Sequence, residues 1–364
     1  MSRALILVLV AATLSAYQGV WAAGWVVDDG AVLTAPALTS LRPRLPGRTL
    51  TYASFAVDRA LWGDQPRGWH GTSLLLHTLN GLLVGLLVAR LVAPGWPAGL
   101  AAATFLLHPI QVASVAYVAN RGELLVALCL LLATLILVGG RSRWRWGLVA
   151  VLIAGAGLAK QMGVMALPLL ALVVWLQPGA RPSRRVGILV AAVLLGLALA
   201  GGLEGLWVPW LSYFGWASVT AWGTFVADQA VTVWQLLGRL VVPTGFSVVH
   251  DWRATALTGP LAVGGLVGLA GWAWRCRHRA PLVAMGLGWF LVALAPRFLF
   301  SGAVFATTPA TLAEHHLYVP LIGLALAVAW AIPVRLLEGD VVNFAGVYEI
   351  NPLSHAAKTQ RMTP

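Results

Sequence analysis

Long apolar runs separated by short polar connections are the clearest pattern in the chain. A helix needs about 20 apolar residues to cross the hydrocarbon core of a bilayer. Ten runs approach this length: residues 4–23, 69–92, 97–116, 122–139, 146–160, 163–177, 186–206, 258–274, 281–297 and 315–334. The pattern predicts an all-α polytopic membrane protein with a bundle of about 10–11 transmembrane helices.

A further apolar segment, residues 221–243, is interrupted by polar and interfacial side chains. These side chains are Trp222, Asp228, Gln229, Trp234 and Arg239. Such a composition favours an interfacial or re-entrant helix over a clean crossing. We therefore predict that this segment does not cross the membrane, and a true span is the alternative.

A long polar connection, Gly24 to about Gly68, follows the first apolar run. Within it, Thr49–Trp62 places apolar residues at helical spacing, with Arg48 and Arg59 beside them. This pattern predicts an amphipathic helix that lies along the membrane surface. We expect this helix to roof a cavity in the bundle, although it could also simply seal the end of the bundle.

The composition agrees with a membrane location. Hydrophobic residues make up 59% of the chain and charged residues 10%, and the mean hydropathy is +0.83. A soluble domain of 364 residues could not bury that much apolar surface. The composition therefore argues against a soluble globular protein.

The formal charge of +12 comes almost entirely from arginine, and its placement indicates topology. Short connections without acidic residues carry the arginines at positions 90, 141, 143, 145, 181, 184, 185, 275, 277 and 279. Together with Arg3, these connections are predicted to be cytoplasmic by the positive-inside rule. Most of the acidic residues then fall on the outer side. Because topology explains the arginine excess, no nucleic-acid partner is predicted.

The N-terminal run permits two interpretations. Met1–Gly24 has one arginine, an apolar centre and the ending VWAAG, which is typical of a cleavable signal peptide. Its apolar stretch is also close to full membrane length, which favours a retained first helix. In both cases Asp28 and Asp29 emerge on the predicted outer side.

The segment WVVDDGAVL places the adjacent Asp28 and Asp29 just beyond the first run. A carboxylate at this position can act as a general base toward an attacking hydroxyl, or it can bind a cation. The alternative is that both carboxylates are solvated at the membrane interface. The residues alone leave these interpretations open.

Two cations near predicted outer helix ends are candidates for phosphate binding. Arg121 could hold a phosphate through charge-assisted hydrogen bonds, or it could pair with Glu123. Lys160 could neutralise a phosphate leaving group, or its stem could extend along the membrane so that the amine reaches water. Both alternatives remain open for each residue.

Further polar residues are predicted to line a cavity at the same end of the bundle. They are His108, His250, Asp251, Glu314, His315, His316 and Tyr318. His108-Pro109 is expected to break or kink a helix, which is tolerated at membrane depth where the backbone lines a cavity. The adjacent histidines have no evident third ligand, so neither a metal nor another cofactor is predicted.

Seven segments occur in a characteristic order: VVDDGAVL, RPRLPGRTLTYASFAVDRALWG, GWHGTSLLLHTLNGLLVGLLVARL, FLLHPIQVASVAYVANRGELL, GLAKQMGVMALPLL, LVVPTGFSVVHDW and AEHHLYVPLIGLAL. This series resembles the membrane domain of the transmembrane and tetratricopeptide-repeat protein O-mannosyltransferases and their bacterial relatives. These proteins belong to the GT-C glycosyltransferase superfamily. The resemblance runs from about residue 20 to residue 334 and covers most of the chain.

The resemblance implies a GT-C-type domain at residues 1–335. Such a domain transfers a sugar from a polyprenyl-phosphate donor to a hydroxyl acceptor, usually without a metal, and with inversion. The acidic motif of the first outer loop supplies the base, so we expect Asp29 to be the base and Asp28 to orient it. Arg121 and Lys160 are then expected to face the donor phosphate.

The resemblance also implies partners and a location. The expected partners are the lipid-linked sugar, membrane lipid and an unidentified protein or glycan acceptor. The expected location is the plasma (inner) membrane of a bacterium, with the active site on the outer, periplasmic face. Residues 336–364 are short and polar, and they are predicted to be a remnant of one tetratricopeptide repeat.

Two other functions are compatible with a multi-span bundle: a transporter or lipid flippase, and an inactive, truncated scaffold. A transport site is expected to place charged residues near the midpoints of the spans. Nine of the twelve acidic residues of this chain instead fall on the predicted outer side. This distribution favours the enzyme over the transporter.

Overall fold

The computed structural model describes most of the predicted bundle. The described residues are 1–26, 28–35, 48–139, 144–176, 187, 219–247, 250, 252–299 and 312–337. Three sequence predictions fall wholly or mostly outside this set: the run at 186–206, the residue Asp251, and the tail from residue 338 onward. Within the described residues the secondary structure is entirely helical.

The first half of the described chain contains α1 (Arg3–Ala16), α2 (Asp29–Leu33), α3 (Thr49–Trp62), α4 (Pro66–Leu91), α5 (Trp96–Leu107), α6 (Val112–Val115) and α7 (Arg121–Val138). The second half contains α8 (Trp144–Ala159), α9 (Ala166–Leu176), α10 (Val219–Val241), α11 (Thr258–Cys276), α12 (Pro281–Leu294), α13 (Pro296–Leu299) and α14 (Tyr318–Leu337). Short 3₁₀ turns occur at Gln18–Ala22, Pro109–Gln111, Val118–Asn120, Gln161–Met165 and Glu314–Leu317.

Three helical segments are long and apolar enough to cross a membrane: Pro66–Leu91, Val118–Val138 and Pro281–Phe298. Trp96–Leu107 and Pro109–Val115 form a bent pair that counts as a fourth span if it is one broken helix. Shorter apolar helices occupy Arg3–Ala16, Trp144–Ala159 and Gln161–Leu176. The protein is therefore an all-α polytopic membrane protein. The total of 10–11 spans and the GT-C arrangement stay predictions.

The break predicted at His108-Pro109 is confirmed. Helix α5 ends at Leu107, and the two halves of the bent pair meet at an angle of 51°. His108 has an extended backbone, as the proline ring of the next residue requires. Its Nδ1 accepts the backbone N–H of Ile110 at 3.1 Å, which caps the following turn.

The predicted amphipathic helix is also confirmed, and its bounds coincide with Thr49–Trp62. It ends at Gly63, whose φ of +58° is a conformation that favours glycine. Pro66 then begins α4, where a missing N–H costs nothing. Thr51 Oγ1 donates to the carbonyl oxygen of Ala159 at 2.6 Å, so α3 is fastened to the end of α8.

Two predicted runs are less regular than a single helix. The run at 4–23 forms α1 only as far as Ala16, and a 3₁₀ turn at Gln18–Ala22 follows. The run at 163–177 begins with the 3₁₀ turn Gln161–Met165. Here Gly163 lies so close to the backbone of Ala156 that a side chain would collide with it.

One large apolar core joins the helices. Helix α12 packs closely along α14, α4 packs against α5 and α7, and α7 packs against α8. Gly286 of α12 and Gly323 of α14 face each other, which lets the two backbones approach closely. Trp289 adds a hydrogen bond between these helices, from Nε1 to the carbonyl oxygen of Val319 at 3.0 Å.

Candidate active site

Asp28 and Asp29 begin the short helix α2, and their environments differ sharply. The side chain of Asp29 is fully buried, whereas Asp28 is exposed. The preceding loop packs on the start of α4, where Trp25 contacts Trp69 edge to face at 5.4 Å. His70 fixes the same loop through a hydrogen bond between its Nε2 and the carbonyl oxygen of Gly24, at 3.2 Å.

The Asp29 carboxylate is held by backbone amides on both oxygens. Its Oδ1 accepts the N–H of Ala119 at 2.8 Å, and its Oδ2 accepts the N–H of Val26 at 3.1 Å. Burial raises the pKa of Asp29, although these amide bonds act in the opposite direction. Asp29 therefore links the first loop to the connection between α6 and α7.

Tyr117 lies next to Asp28 on that connection. The backbone N–H of Asp28 donates to the Tyr117 hydroxyl at 3.1 Å. Burial raises the pKa of this hydroxyl, and the negative charge of Asp28 raises it further. The tyrosine stays neutral at physiological pH and can still donate its own proton to a neighbouring oxygen.

A cavity of about 340 Å³ opens beside this pair. Its wall is formed by Val26, Pro109, Val112, Ala113, Ala116, Tyr117, Phe246, Ser247, Glu314 and His315. The wall is largely apolar on the side of the α5–α7 connection, and it is polar around Glu314. Such a cavity is suited to a ligand that has both apolar and polar parts.

Arg121 does not face this cavity. Its guanidinium is fully buried and pairs with Asp58, with 2.6 Å between Nη2 and Oδ2. The same nitrogen donates to the carbonyl oxygen of Trp69 at 2.8 Å, and the ring of Phe55 lies 4.8 Å from the guanidinium carbon. Arg121 thus fastens α3 to α4 and α7. The pairing of Arg121 with Glu123 that the sequence allowed is not formed.

Glu123 instead pairs with Lys160. Lys160 Nζ donates to Glu123 Oε1 at 2.8 Å, and both side chains are almost entirely buried. Arg297 approaches the same carboxylate oxygen at 3.7 Å. The charge of Arg48, at the start of α3, acts on both Lys160 and Arg297.

His315 and His316 complete this charged cluster. Burial holds the pKa of His315 well below its usual range, and the charges of Lys160, Arg297 and Arg48 lower it further. Burial lowers the pKa of His316 in the same way, and Arg297 contributes the next largest effect. Both imidazoles are therefore neutral. His315 also lies on the wall of the large cavity, so the cluster adjoins it.

The remaining predicted residues have other roles. His108 Nε2 donates to the carbonyl oxygen of Leu240 at 3.1 Å and so connects the break after α5 to the end of α10. His250 contacts Glu314, with 3.0 Å between Nε2 and Oε1. Tyr318 is buried in the bundle, where its hydroxyl lies 2.9 Å from His77 Nδ1. Among the predicted cavity residues, Glu314 and His315 line the large cavity.

Sequence reasoning missed Tyr117, Arg48 and Arg297. Each lies in a segment that carries another candidate or at the end of an apolar run, and its residue type alone does not indicate a role. The sequence signal that could have pointed to Tyr117 is its position four residues before Arg121 in VASVAYVANRGELL. Arg297 is recognised through its approach to Glu123, and Arg48 through the effect of its charge on Lys160 and Arg297; all of these partners are distant in sequence.

Comparisons with known proteins give a partial likeness. No family model matches the chain, and no solved structure matches it. The chain is 34% identical over 140 residues to protein O-mannosyl-transferase Tmtc1 of Drosophila melanogaster, and 32% identical over 136 residues to Tmtc2 of the same organism. The matched segments cover 37% and 34% of this chain, but 16% and 14% of those proteins. The likeness is therefore distant and limited to a small part of each relative.

Proposed function

We propose that the protein is an integral-membrane glycosyltransferase of the GT-C type. It transfers a sugar, with mannose as the first candidate, from a polyprenyl-phosphate donor to a hydroxyl acceptor such as a protein serine or threonine. The partial likeness to two protein O-mannosyl-transferases supports the reaction class. The observation that carries the proposal is the Asp28–Asp29 pair, which is fixed next to a cavity that a cationic cluster also adjoins.

The geometry favours a division of roles opposite to the one expected from the sequence. Asp29 is buried, and each of its oxygens already accepts a backbone amide. Asp28 is exposed, and its backbone N–H donates to the hydroxyl of Tyr117, which is one of the residues of the cavity wall. We therefore assign Asp28 as the base and Asp29 as the residue that positions it.

The reaction then proceeds as a single displacement. The Asp28 carboxylate takes the proton from the acceptor hydroxyl, whose oxygen forms the new bond to the anomeric carbon. The bond between the anomeric carbon and the phosphate oxygen breaks, and the electron pair leaves with the polyprenyl phosphate. Attack from the face opposite the leaving group inverts the anomeric configuration. Lys160 belongs to the cationic cluster that would stabilise the departing charge.

The arginine-rich connections support the proposed orientation. If they are cytoplasmic, Asp28 and the cavity lie on the outer face of the plasma membrane. A lipid-linked donor reaches this position from within the bilayer, and a secreted acceptor reaches it from outside. The largely apolar wall near Pro109 and Val112 suits the first part of the lipid chain.

The test is release of polyprenyl phosphate by the purified protein from a panel of polyprenyl-phosphate sugars, with peptide and glycan acceptors present. Wild type is compared with Asp28→Asn, Asp29→Asn and the double variant. We expect Asp28→Asn to reduce turnover by at least about 100-fold, because a positioned base contributes about that much. Asp29→Asn should reduce both turnover and thermal stability, because one of its amide bonds is lost.

The matched control is Asp64→Asn, since Asp64 is an exposed acid that pairs with Arg59. It should leave turnover unchanged. Equal turnover by wild type and Asp28→Asn would remove Asp28 as the base. Absence of release by folded wild-type protein with all donors and acceptors would contradict the glycosyltransferase and favour the inactive scaffold.

A further inference from the structure

The cluster around Glu123 contains more positive charge than negative charge. Lys160 and Arg297 share the carboxylate of Glu123, and the positive charge of Arg48 acts on both of them. The two histidines beside them are neutral. Among the described residues, three cations thus face one acid. Excess charge in a low-dielectric environment is costly unless a further anion balances it.

The two arginines also have unused hydrogen-bonding capacity. Arg48 Nε and Arg297 Nε are buried, and neither has a hydrogen-bond partner among the described residues. A pocket of about 10 Å³, large enough for one water-sized atom, lies against Glu123, Arg297 and His316. Buried N–H groups that lack a partner can donate hydrogen bonds to the oxygens of a ligand.

A metal ion is the first alternative, because ligand atoms of Glu123, His315 and His316 lie within 4.8 Å of one another. The tautomer of His316 argues against it. His316 Nδ1 accepts the backbone N–H of Ala313 at 3.0 Å, so the single proton of the neutral ring is on Nε2. A protonated nitrogen cannot ligate a metal, and the adjacent Lys160 and Arg297 would repel a cation.

We propose that Arg48, Lys160, Arg297 and the Nε2–H of His316 form a binding site for a phosphate group. Glu123 pairs with Lys160, lies 3.7 Å from Arg297 and offsets part of their positive charge. One phosphate oxygen occupies the small pocket, and the ester oxygen faces the large cavity at His315. This assignment rests on the proposed function in taking the phosphate to be that of the lipid-linked donor, and it excludes Arg121, which Asp58 already neutralises.

The experiment measures binding without sugar transfer, so it is independent of turnover. Purified protein in detergent is titrated with farnesyl phosphate, farnesol and inorganic phosphate, and Kd is measured by calorimetry. We expect farnesyl phosphate to bind and farnesol to bind at least 10-fold more weakly. If inorganic phosphate displaces farnesyl phosphate at a similar concentration, the site is one for free phosphate. If inorganic phosphate does not displace it, the site is one for the lipid phosphate.

Variants assign the binding to these residues. Arg48→Gln and Arg297→Gln should each weaken farnesyl phosphate binding by at least 10-fold, because each loses a charge-assisted hydrogen bond. Arg277→Gln, in which the changed arginine lies over Trp274 outside the cluster, is the matched control and should bind like wild type. Unchanged Kd in both cluster variants would overturn the proposal.

Glu123→Gln separates a phosphate site from a metal site. Removal of this carboxylate increases the excess positive charge, so binding of farnesyl phosphate should be retained or strengthened. A metal site would instead lose its metal when this carboxylate ligand is removed. Stoichiometric binding of Zn²⁺ by wild type that is lost in Glu123→Gln would overturn the proposal. Thermal unfolding of each variant confirms that the protein measured is folded.

Discussion

Neighbouring residues of the same type have different roles in this protein, and their surroundings decide which. Asp29 accepts two backbone amides and is buried, whereas Asp28 is exposed next to Tyr117. Arg121 is neutralised by Asp58, whereas Arg297 shares Glu123 with Lys160. A residue type that suggests chemistry therefore has to be judged together with its hydrogen-bond partners.

The neutral histidines predict how stability depends on pH. The folded-state pKa of both His315 and His316 lies well below the usual value, near 6.5, that applies in the unfolded chain. The unfolded state therefore binds more protons below about pH 6.5, so the stabilisation present above that pH is lost as the pH falls. We expect thermal stability to decrease from pH 7 to pH 5, by at most about 1.4 kcal/mol per pH unit for each histidine.

Thermal unfolding in detergent between pH 5 and pH 8 checks this expectation. The variant His316→Gln should lose part of the pH dependence, because one group that takes up a proton on unfolding is absent. His278→Gln, which changes a histidine outside the cluster, serves as the control. An identical slope in wild type and His316→Gln would show that the pKa of His316 is not lowered in the folded protein.

For single residues, the sequence indicates which side chains are candidates for the site better than it indicates their hydrogen-bond and ion-pair partners. The adjacent aspartates, Lys160 and the pair His315–His316 were recognisable because acids, lysines and histidines are scarce in an apolar chain. Whether Arg121 or Arg297 remains available for a ligand depends on Asp58 and Glu123. Those pairings join residues that are dozens of positions apart, and local spacing cannot predict them.

Helices α12 and α14 lie so close together that larger side chains are poorly tolerated where they touch. A Cβ on Gly323 would meet the backbone oxygen of Gly286 and the side chain of Trp289. We expect Gly323→Val to lower the free energy of unfolding by about 1–3 kcal/mol, because added volume forces the helices apart. The midpoint of thermal unfolding measures this loss.

Gly264→Ala on α11 is the matched control. Nothing lies within 4 Å of the position that its Cβ would occupy. This variant should be as stable as wild type or slightly more stable, since alanine favours helix over glycine. Comparable destabilisation by both changes would mean that the contact between α12 and α14 is not what makes Gly323 sensitive.

For the described residues, the presence of helices could be predicted from the sequence because the apolar runs are long and are interrupted by residues such as proline and glycine. Pro109 and Gly63 set the ends of α5 and α3 close to where the pattern placed them. The ends of the runs at 4–23 and 163–177 were less predictable. Their 3₁₀ turns depend on tertiary contacts, such as the approach of Gly163 to Ala156, that hydropathy does not record.

At the scale of the whole molecule, the arginine distribution makes a testable statement about topology. Single cysteines in a cysteine-free background are labelled with an impermeant maleimide in intact cells. We expect labelling at Asp64 and none at Pro94 until the membrane is permeabilised, because Pro94 follows Arg90 in a predicted cytoplasmic connection. If α10 does not cross, cysteines at Gly223 and Val242 should both be labelled from outside.

The outcome at α10 decides between two arrangements. Labelling of Gly223 and Val242 from opposite sides would show that α10 is a span and would contradict its interfacial placement. Labelling of Asp64 from the inside would reverse the orientation of the entire bundle. It would also move the proposed reaction to the cytoplasmic face.

The bond between Asp29 and Ala119 joins segments that are 90 residues apart in the chain. During synthesis, the first loop emerges long before the connection that supplies its partner amide. The carboxylate must remain hydrated until α4, α5 and α7 have inserted, and it becomes buried only when they close around it. Contacts of such long sequence separation form late, because the chain between them must first be ordered. The nascent protein therefore acquires its reactive geometry as one of the last steps of assembly.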